Sequence, residues 1–231
     1  DAAQLIPHAP INMKPDHCAE HIDFVVFSAH KMYAPFGIGA IVGPKKSFER
    51  GAPEYKGGGT VQVVTRYSVD WDDPPFKEEA GSPNIIGVVA LVAAIEELTK
   101  IGMDTIRDNE KELMNYAVNR LKSLPFIHLY GCYHKCTERV GIIPFIVHGI
   151  PHSEIAKVLS EESAIGVRNG CFCAQPYVQR LLKLTPKEIE HYRYLTEHKK
   201  PGMVRVSFGL YNTKSEVDRL VSELKRLIRH Y

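Results

Sequence analysis

The spacing of apolar positions changes along this chain, and the changes divide it. In FVVFSAHKMYAPFGIGAIVG, residues 24–43, two short apolar runs flank a polar, turn-rich middle. FVVFS is short and lacks polar alternation, so it predicts a strand buried on both faces, with GIGAIVG as a second strand beside it. From Asn84 to Lys100 the spacing becomes helical, opening after Gly-Ser-Pro-Asn and stopping at Gly102. A further helix is predicted from Asp104 to Leu124, where Pro125 ends it.

Shorter elements follow. FIHLYG, VGIIPFIVHG and MVRVSFGLYN read as strands, and Ser153 to Glu162 as a helix. Thr185-Pro-Lys-Glu188 is a capping box with proline at the first helical position, and Thr213-x-x-Glu216 is a second box. The second opens a terminal helix whose Val217, Leu220, Val221, Leu224, Leu227 and Ile228 form one stripe, most simply a face packed on a sheet. The boundary between two α/β domains is placed near residue 100, giving 1–100 and 101–231.

Composition narrows the function classes. Of 231 residues, 44% are apolar and 24% charged, ordinary for a globular chain. The 29 basic and 27 acidic residues are interspersed, which argues against nucleic acid or an anionic membrane as the main partner. The longest apolar stretch, Ile85 to Ile95, is too short to span a bilayer. DAAQLIPHAP lacks the basic-then-apolar order of a signal peptide, so none is expected. The five cysteines (Cys18, Cys132, Cys136, Cys171, Cys173) are an odd number in a chain with no need of disulfide staples, and a cytoplasmic, reducing location is expected. Cys132-x3-Cys136 and Cys171-x-Cys173 lack the spacing of zinc ribbons, so no metal is expected and most thiols read as small buried apolar groups.

The candidate chemistry sits where the first strand ends. Ligands of open α/β sheets bind beyond the carboxyl ends of strands, and Ser28, His30 and Lys31 follow such an end. A half-buried lysine can supply the free amine needed to form an imine. Asp1 and Gln4 lie upstream, and an aspartate paired with a reactive lysine suits pyridoxal phosphate, which needs an acid at its pyridine nitrogen and a lysine to hold it. Within MVRVSFG, alternation puts Val204 and Val206 on one face and Arg205 and Ser207 on the other. An arginine there needs a carboxylate partner, supplied by a structural ion pair or by an amino-acid substrate.

The ordered series DAAQLIPH, DFVVFSAHKMYAPFGIG, GGGT, EAGSPN and VRVSFGLYNT resembles the class V aminotransferase-fold enzymes, in the branch of cysteine desulfurases and selenocysteine lyases. The resemblance runs through nearly the whole chain. It implies the second half of a fold type I pyridoxal-phosphate large domain, mainly a parallel sheet with helices, followed by a small C-terminal α/β domain. It further implies that Lys31 carries the Schiff base, Asp1 meets the pyridine nitrogen, Gln4 contacts the ring hydroxyl, and Ser28 and His30 bind phosphate. The Gly57–Gly59 loop (Gly58 at its centre) and the Ser82–Asn84 turn would approach the neighbouring subunit's cofactor, hence a homodimer with shared sites. Arg205, with Arg168, would bind the substrate carboxylate.

In VRNGCFCAQPYV the resemblance places the nucleophile at Cys173, whose thiolate would take sulfur or selenium from cysteine or selenocysteine, leaving alanine and an enzyme persulfide. A sulfur-acceptor protein would then be a partner. Cys171-Phe172 stands where the branch often has histidine, which leaves Cys171 as a competing nucleophile. The alternatives are another class V activity (aminotransferase, epimerase or kynureninase-like) without a cysteine nucleophile, or an inactive scaffold half. In such enzymes the ring-stacking side chain and phosphate-cradling loop precede the aspartate equivalent to Asp1. The 231 residues alone are therefore expected to be inactive and to bind the cofactor poorly.

Overall fold

The apolar run ending at Ser28 forms a strand, but a half-exposed one. In the computed structural model, which describes residues 1–133, 139–196 and 199–229, the chain divides into two units, Asp1–Thr105 and Ile106–Tyr231. In the first unit β1 (Val25–Ser28) pairs with β2 (Gly39–Val42), Val25 opposite Val42 and Ser28 opposite Gly39. The ten-residue link between Ser28 and Gly39 is shorter than the crossover that parallel strands require, so the pairing is antiparallel. Every strand pairing among the described residues is antiparallel, in place of the mainly parallel sheet expected of the large-domain half. The expectation of burial on both faces of β1 also fails. Val25 is buried, but Phe24 and Val26 are 44% and 43% exposed, because this two-stranded sheet has only one face covered.

The rest of the first unit is built around turns. A one-turn helix, α1 (Lys45–Phe48), sets Phe48 edge-on to Phe24, with ring centroids 5.9 Å apart. A hairpin, β3 (Val61–Val64) with β4 (Val69–Trp71), follows; its two strands were not read from the sequence. Helix α2 (Ile85–Ile101) starts where the helical period starts. Asn84 caps it by accepting the Gly87 N–H at 3.0 Å, and Gly102, at φ +91°, ends it. Only Gly87, Leu91 and Leu98 of α2 are buried, so Ile85, Ile86 and Val89 remain about two-thirds exposed.

The second unit is a two-layer sandwich. Helix α3 (Met103–Lys122) leads into β5 (Ile127–Leu129), β6 (Ile142–Val147), α4 (His152–Ser163), β7 (Arg168–Gly170), α5 (Gln175–Leu181), α6 (Pro186–His191), β8 (Met203–Ser207) and α7 (Lys214–Ile228). The sheet order is β5-β6-β8-β7. Helices α3, α4 and α7 cover one face, and Leu121, Ile143, Phe145, Leu159, Val204 and Leu224 between them are fully buried. The predicted stripe of α7 supplies Val217, Leu220, Val221, Leu224 and Leu227 to this core. Asp218 fastens α7 to α3, accepting from the Tyr116 O–H and from Arg120 Nε, each at 2.8 Å. Because the strands alternate, the opposite face is left to Arg205 and Ser207. That open face carries the candidate residues of the second unit.

Candidate functional site

In the first unit, polar contacts to the backbone draw four motifs into one connected set of loops. The Ala2 N–H donates to the Val26 carbonyl at 2.8 Å, which lays the Asp1–Gln4 segment along β1. Asp1 is exposed; one carboxylate oxygen accepts the Ala3 N–H at 2.9 Å. Gln4 is half-buried. β1 runs directly into a 3-10 turn, Ala29–Met32, closed by Tyr33 in the left-handed region at φ 65°. With three residues per turn, Ala29 and Met32 share the buried side, which leaves His30 exposed and Lys31 half-buried.

The glycine triplet and the Ser-Pro-Asn turn are fastened to the same region. The Asn84 amide donates to the Phe36 carbonyl at 2.6 Å, bringing Ser82 to the loop that follows the lysine turn. The Gly81 N–H donates to the Gly58 carbonyl at 2.8 Å, and the buried Thr60 hydroxyl closes the glycine loop onto the Gly57 carbonyl at 2.7 Å. KGGGT is therefore a pinned loop, not a free one.

The second unit assembles the rest. Arg205 on β8 stands in register with Arg168 on β7, and like charges directly opposite destabilise a sheet unless an anion joins them. The Arg205 guanidinium stacks on the Phe172 ring at 5.2 Å, and its buried Nε has no hydrogen-bond partner. Burial, and then the Arg168 charge, push the Arg205 pKa below the usual guanidinium range; the neighbouring Cys173 thiol partly offsets this. An orphaned donor between two cations is a receptor for a carboxylate.

Cys173 is held beside this pair by a tight turn. The Ala174 N–H donates to the Cys171 carbonyl at 2.8 Å, while Phe172 and Cys173 both have positive φ, 55° and 60°. That is the backbone pattern of a type I′ turn, usually filled by glycine or asparagine, and each non-glycine residue in it costs on the order of 1–3 kcal/mol. Gly202 allows the approach of the neighbouring strand, since a Cβ there would lie 2.7 Å from both the Gly170 Cα and His152 Nε2. The result is a cavity of about 760 Å³ lined by Arg168, Cys171, Phe172, Cys173 and Tyr192 among others, with Cys173 exposed and Cys171 half-buried.

A family model for class V aminotransferases matches residues 1–220. The chain belongs to the class V aminotransferase family. Its similarity to individual class V members agrees with the motif series. A cysteine desulfurase of Pectobacterium atrosepticum is 36% identical over 231 residues, covering 99% of this chain and 50% of the relative. One from Escherichia coli K12 is 34% identical, with the same coverage. The apo structure of a Thermococcus onnurineus cysteine desulfurase superposes with a TM-score of 0.83 at 29% identity, covering all of this chain and 52% of that one. An Escherichia coli cysteine desulfurase structure gives 0.80 at 31% identity. The chain thus spans about half the length of the curated relatives it matches. These likenesses bear out the expected fold class, half of a pyridoxal-phosphate enzyme of this kind with its mixed α/β architecture.

The predicted site residues fall into two sets, one per unit: Asp1, Gln4, Ser28, His30, Lys31, Gly58 and Ser82 in the first, Arg168, Cys173 and Arg205 in the second. The donor set of the first fits a phosphorylated pyridine aldehyde. A hydroxyl, an imidazole and an ammonium lie within one turn, and the Asp1 carboxylate retains an oxygen for a ring N–H donor. Phe172 was read from the sequence only as a departure from the branch's pattern, without a role, and Tyr192 was missed, since nothing local marks it. Among the described residues no group of three His, Cys, Asp or Glu could hold a metal ion; Cys136 lies outside them.

Proposed function

We propose that the chain carries the lysine-bearing and thiol-bearing portions of a pyridoxal-phosphate cysteine desulfurase. The observation that carries this is the strained Cys171–Ala174 turn, which sets an exposed thiol beside an arginine pair with an orphaned donor. When bound, pyridoxal phosphate supplies an aldehyde that takes up the substrate's amino group and a ring that withdraws electrons. Lys31 would hold it, Asp1 would keep its ring nitrogen protonated, Gln4 would contact its ring hydroxyl, and Ser28 and His30 would bind its phosphate. Gly58 and Ser82 would serve the neighbouring subunit's cofactor in a cytoplasmic homodimer.

Each remaining role belongs to the second unit. Arg205 and Arg168 bind the substrate carboxylate, the planar fork of Arg205 oriented by its stack on Phe172. The Cys173 thiolate, held beside those cations by its turn, attacks the substrate sulfur. An S–S bond forms as the C–S bond breaks; the electron pair of that bond stays on carbon, which takes a proton to give alanine. Cys173 keeps the persulfide for a sulfur-acceptor partner.

The test is turnover of cysteine by the whole protein loaded with pyridoxal phosphate. Alanine and sulfide should form in equal amounts with reductant present, and Cys173→Ser should lose both while retaining the cofactor's visible absorption. Sulfide release that survives in Cys173→Ser refutes the nucleophile assignment.

A further inference from the structure

Cys171 takes no part in the chemistry assigned above, yet it is the more carefully placed of the two thiols. Its Sγ lies 3.1 Å from the Tyr192 hydroxyl and 3.7 Å from the Pro201 carbonyl oxygen. The Tyr192 O–H also approaches the Pro201 carbonyl, donating to it at 3.0 Å, so thiol, phenol and carbonyl form one closed cluster. The Lys200 ammonium lies 5.7 Å from the centre of the Tyr192 ring, adding a cation to this corner of the cavity. Cys173 lines the same cavity but is exposed, and the two thiols occupy the first and third positions of a single tight turn. Two residues apart, their Cα atoms lie within about 7 Å of each other, which puts a sulfur atom added to Cys173 in range of Cys171 by side-chain rotation.

We propose that Cys171 is a second sulfur carrier, which takes the outer sulfur from a Cys173 persulfide and holds it under Tyr192. The inference rests on the reading of Cys173 as the sulfur-accepting nucleophile. Cys171 attacks the outer sulfur; the S–S bond to Cys173 breaks as a new one forms to Cys171. The Cys171 proton passes to the departing Cys173 sulfur. The transferred sulfur keeps its oxidation state, so the step needs no oxidant or reductant. Its effect is to move a reactive group from an exposed position to a half-buried one and to free Cys173 for another substrate.

The experiment treats the whole, cofactor-loaded protein with one equivalent of cysteine without reductant, alkylates it, and locates the added sulfur by fragment mass spectrometry of the peptide from Asn169 to Arg180. The expected result is added sulfur on Cys171 in the unaltered protein, on Cys173 in Cys171→Ser, and on neither in Cys173→Ser. Tyr192→Phe should move label from Cys171 back toward Cys173, a redistribution that a merely structural phenol would not cause. Label that stays on Cys173 in the unaltered protein overturns the relay while leaving the desulfurase reading intact. A Cys171–Cys173 disulfide with sulfide released also overturns it, since Cys171 would then be attacking the inner sulfur. Label on Cys171 in Cys173→Ser, or no alanine from any variant, refutes the nucleophile assignment beneath it.

Discussion

Replacing Arg205 by methionine separates a receptor from a structural cross-link, because the two roles predict opposite effects on stability. The Arg205 cation is half-buried, faces Arg168 across the strand pair, and keeps an unsatisfied Nε. Its side chain gains favourable contact from the stack on Phe172. Losing that stack costs about 0.5–1 kcal/mol. Removing the like-charge neighbour returns up to about 1 kcal/mol, and relieving the desolvated donor returns more. Arg205→Met should therefore unfold in urea at the same midpoint as the parent protein or a higher one. Binding should suffer. Charge-assisted hydrogen bonds to a carboxylate are worth roughly 1.5–3 kcal/mol, which translates to a fall of about 10- to 150-fold in kcat/KM for cysteine. Sulfate should raise the melting temperature of the parent protein and not that of the variant, since only the former has the anion site intact. A variant destabilised by more than about 2 kcal/mol, with kcat/KM unchanged, would refute the reasoning.

Other outcomes follow from single residues. Lys31→Ala in the whole protein should abolish covalent attachment of pyridoxal phosphate trapped by borohydride; a trapped adduct on any other lysine refutes the assignment. Asn84→Ala removes the cap of α2 and the tie to the Phe36 carbonyl, and should lower stability by about 0.5–2 kcal/mol in urea melts, with weaker cofactor binding. Leu121→Ala empties a fully buried position and should cost about 2–5 kcal/mol without changing kcat/KM. Glu112, Glu188, Glu216 and Glu223 are all held below the ordinary carboxylate value of 4.5, chiefly by hydrogen bonds from Lys214, Thr185, the Thr213 backbone and Arg226 respectively. Because their folded values are depressed, the unfolded chain binds more protons; the stability they lend is complete above 4.5 and lost as pH falls through the lowered values. Urea midpoints that stay flat from about pH 6 to pH 3 contradict this.

Local physics carried much of this protein in its sequence. The edges of α2 follow from Asn84 and Gly102, and the start of α6 from the Thr185 capping box, because caps depend on a few adjacent residues. The stripe of α7 named its buried face, and alternation in MVRVSFG correctly put Arg205 on the side away from the helices. The motif series was enough for the family. Tertiary structure decided what depends on distant neighbours. FVVFS has the composition of a fully buried strand, yet burial is set by what packs on it, and here one face of β1 is open. Strand direction likewise lay in the short link and its turn at Tyr33, not in the apolar runs. The pairing of Arg168 with Arg205 joins residues far apart in the chain through β7, a strand of three residues with no hydrophobic signature. The Tyr192 hydroxyl reaches Cys171 across 21 positions, a contact that exists only once the sheet and the Pro201 turn are in place. A sequence can name the chemical groups of a site, but whether a charge ends up paired, orphaned or sheltered is settled by packing.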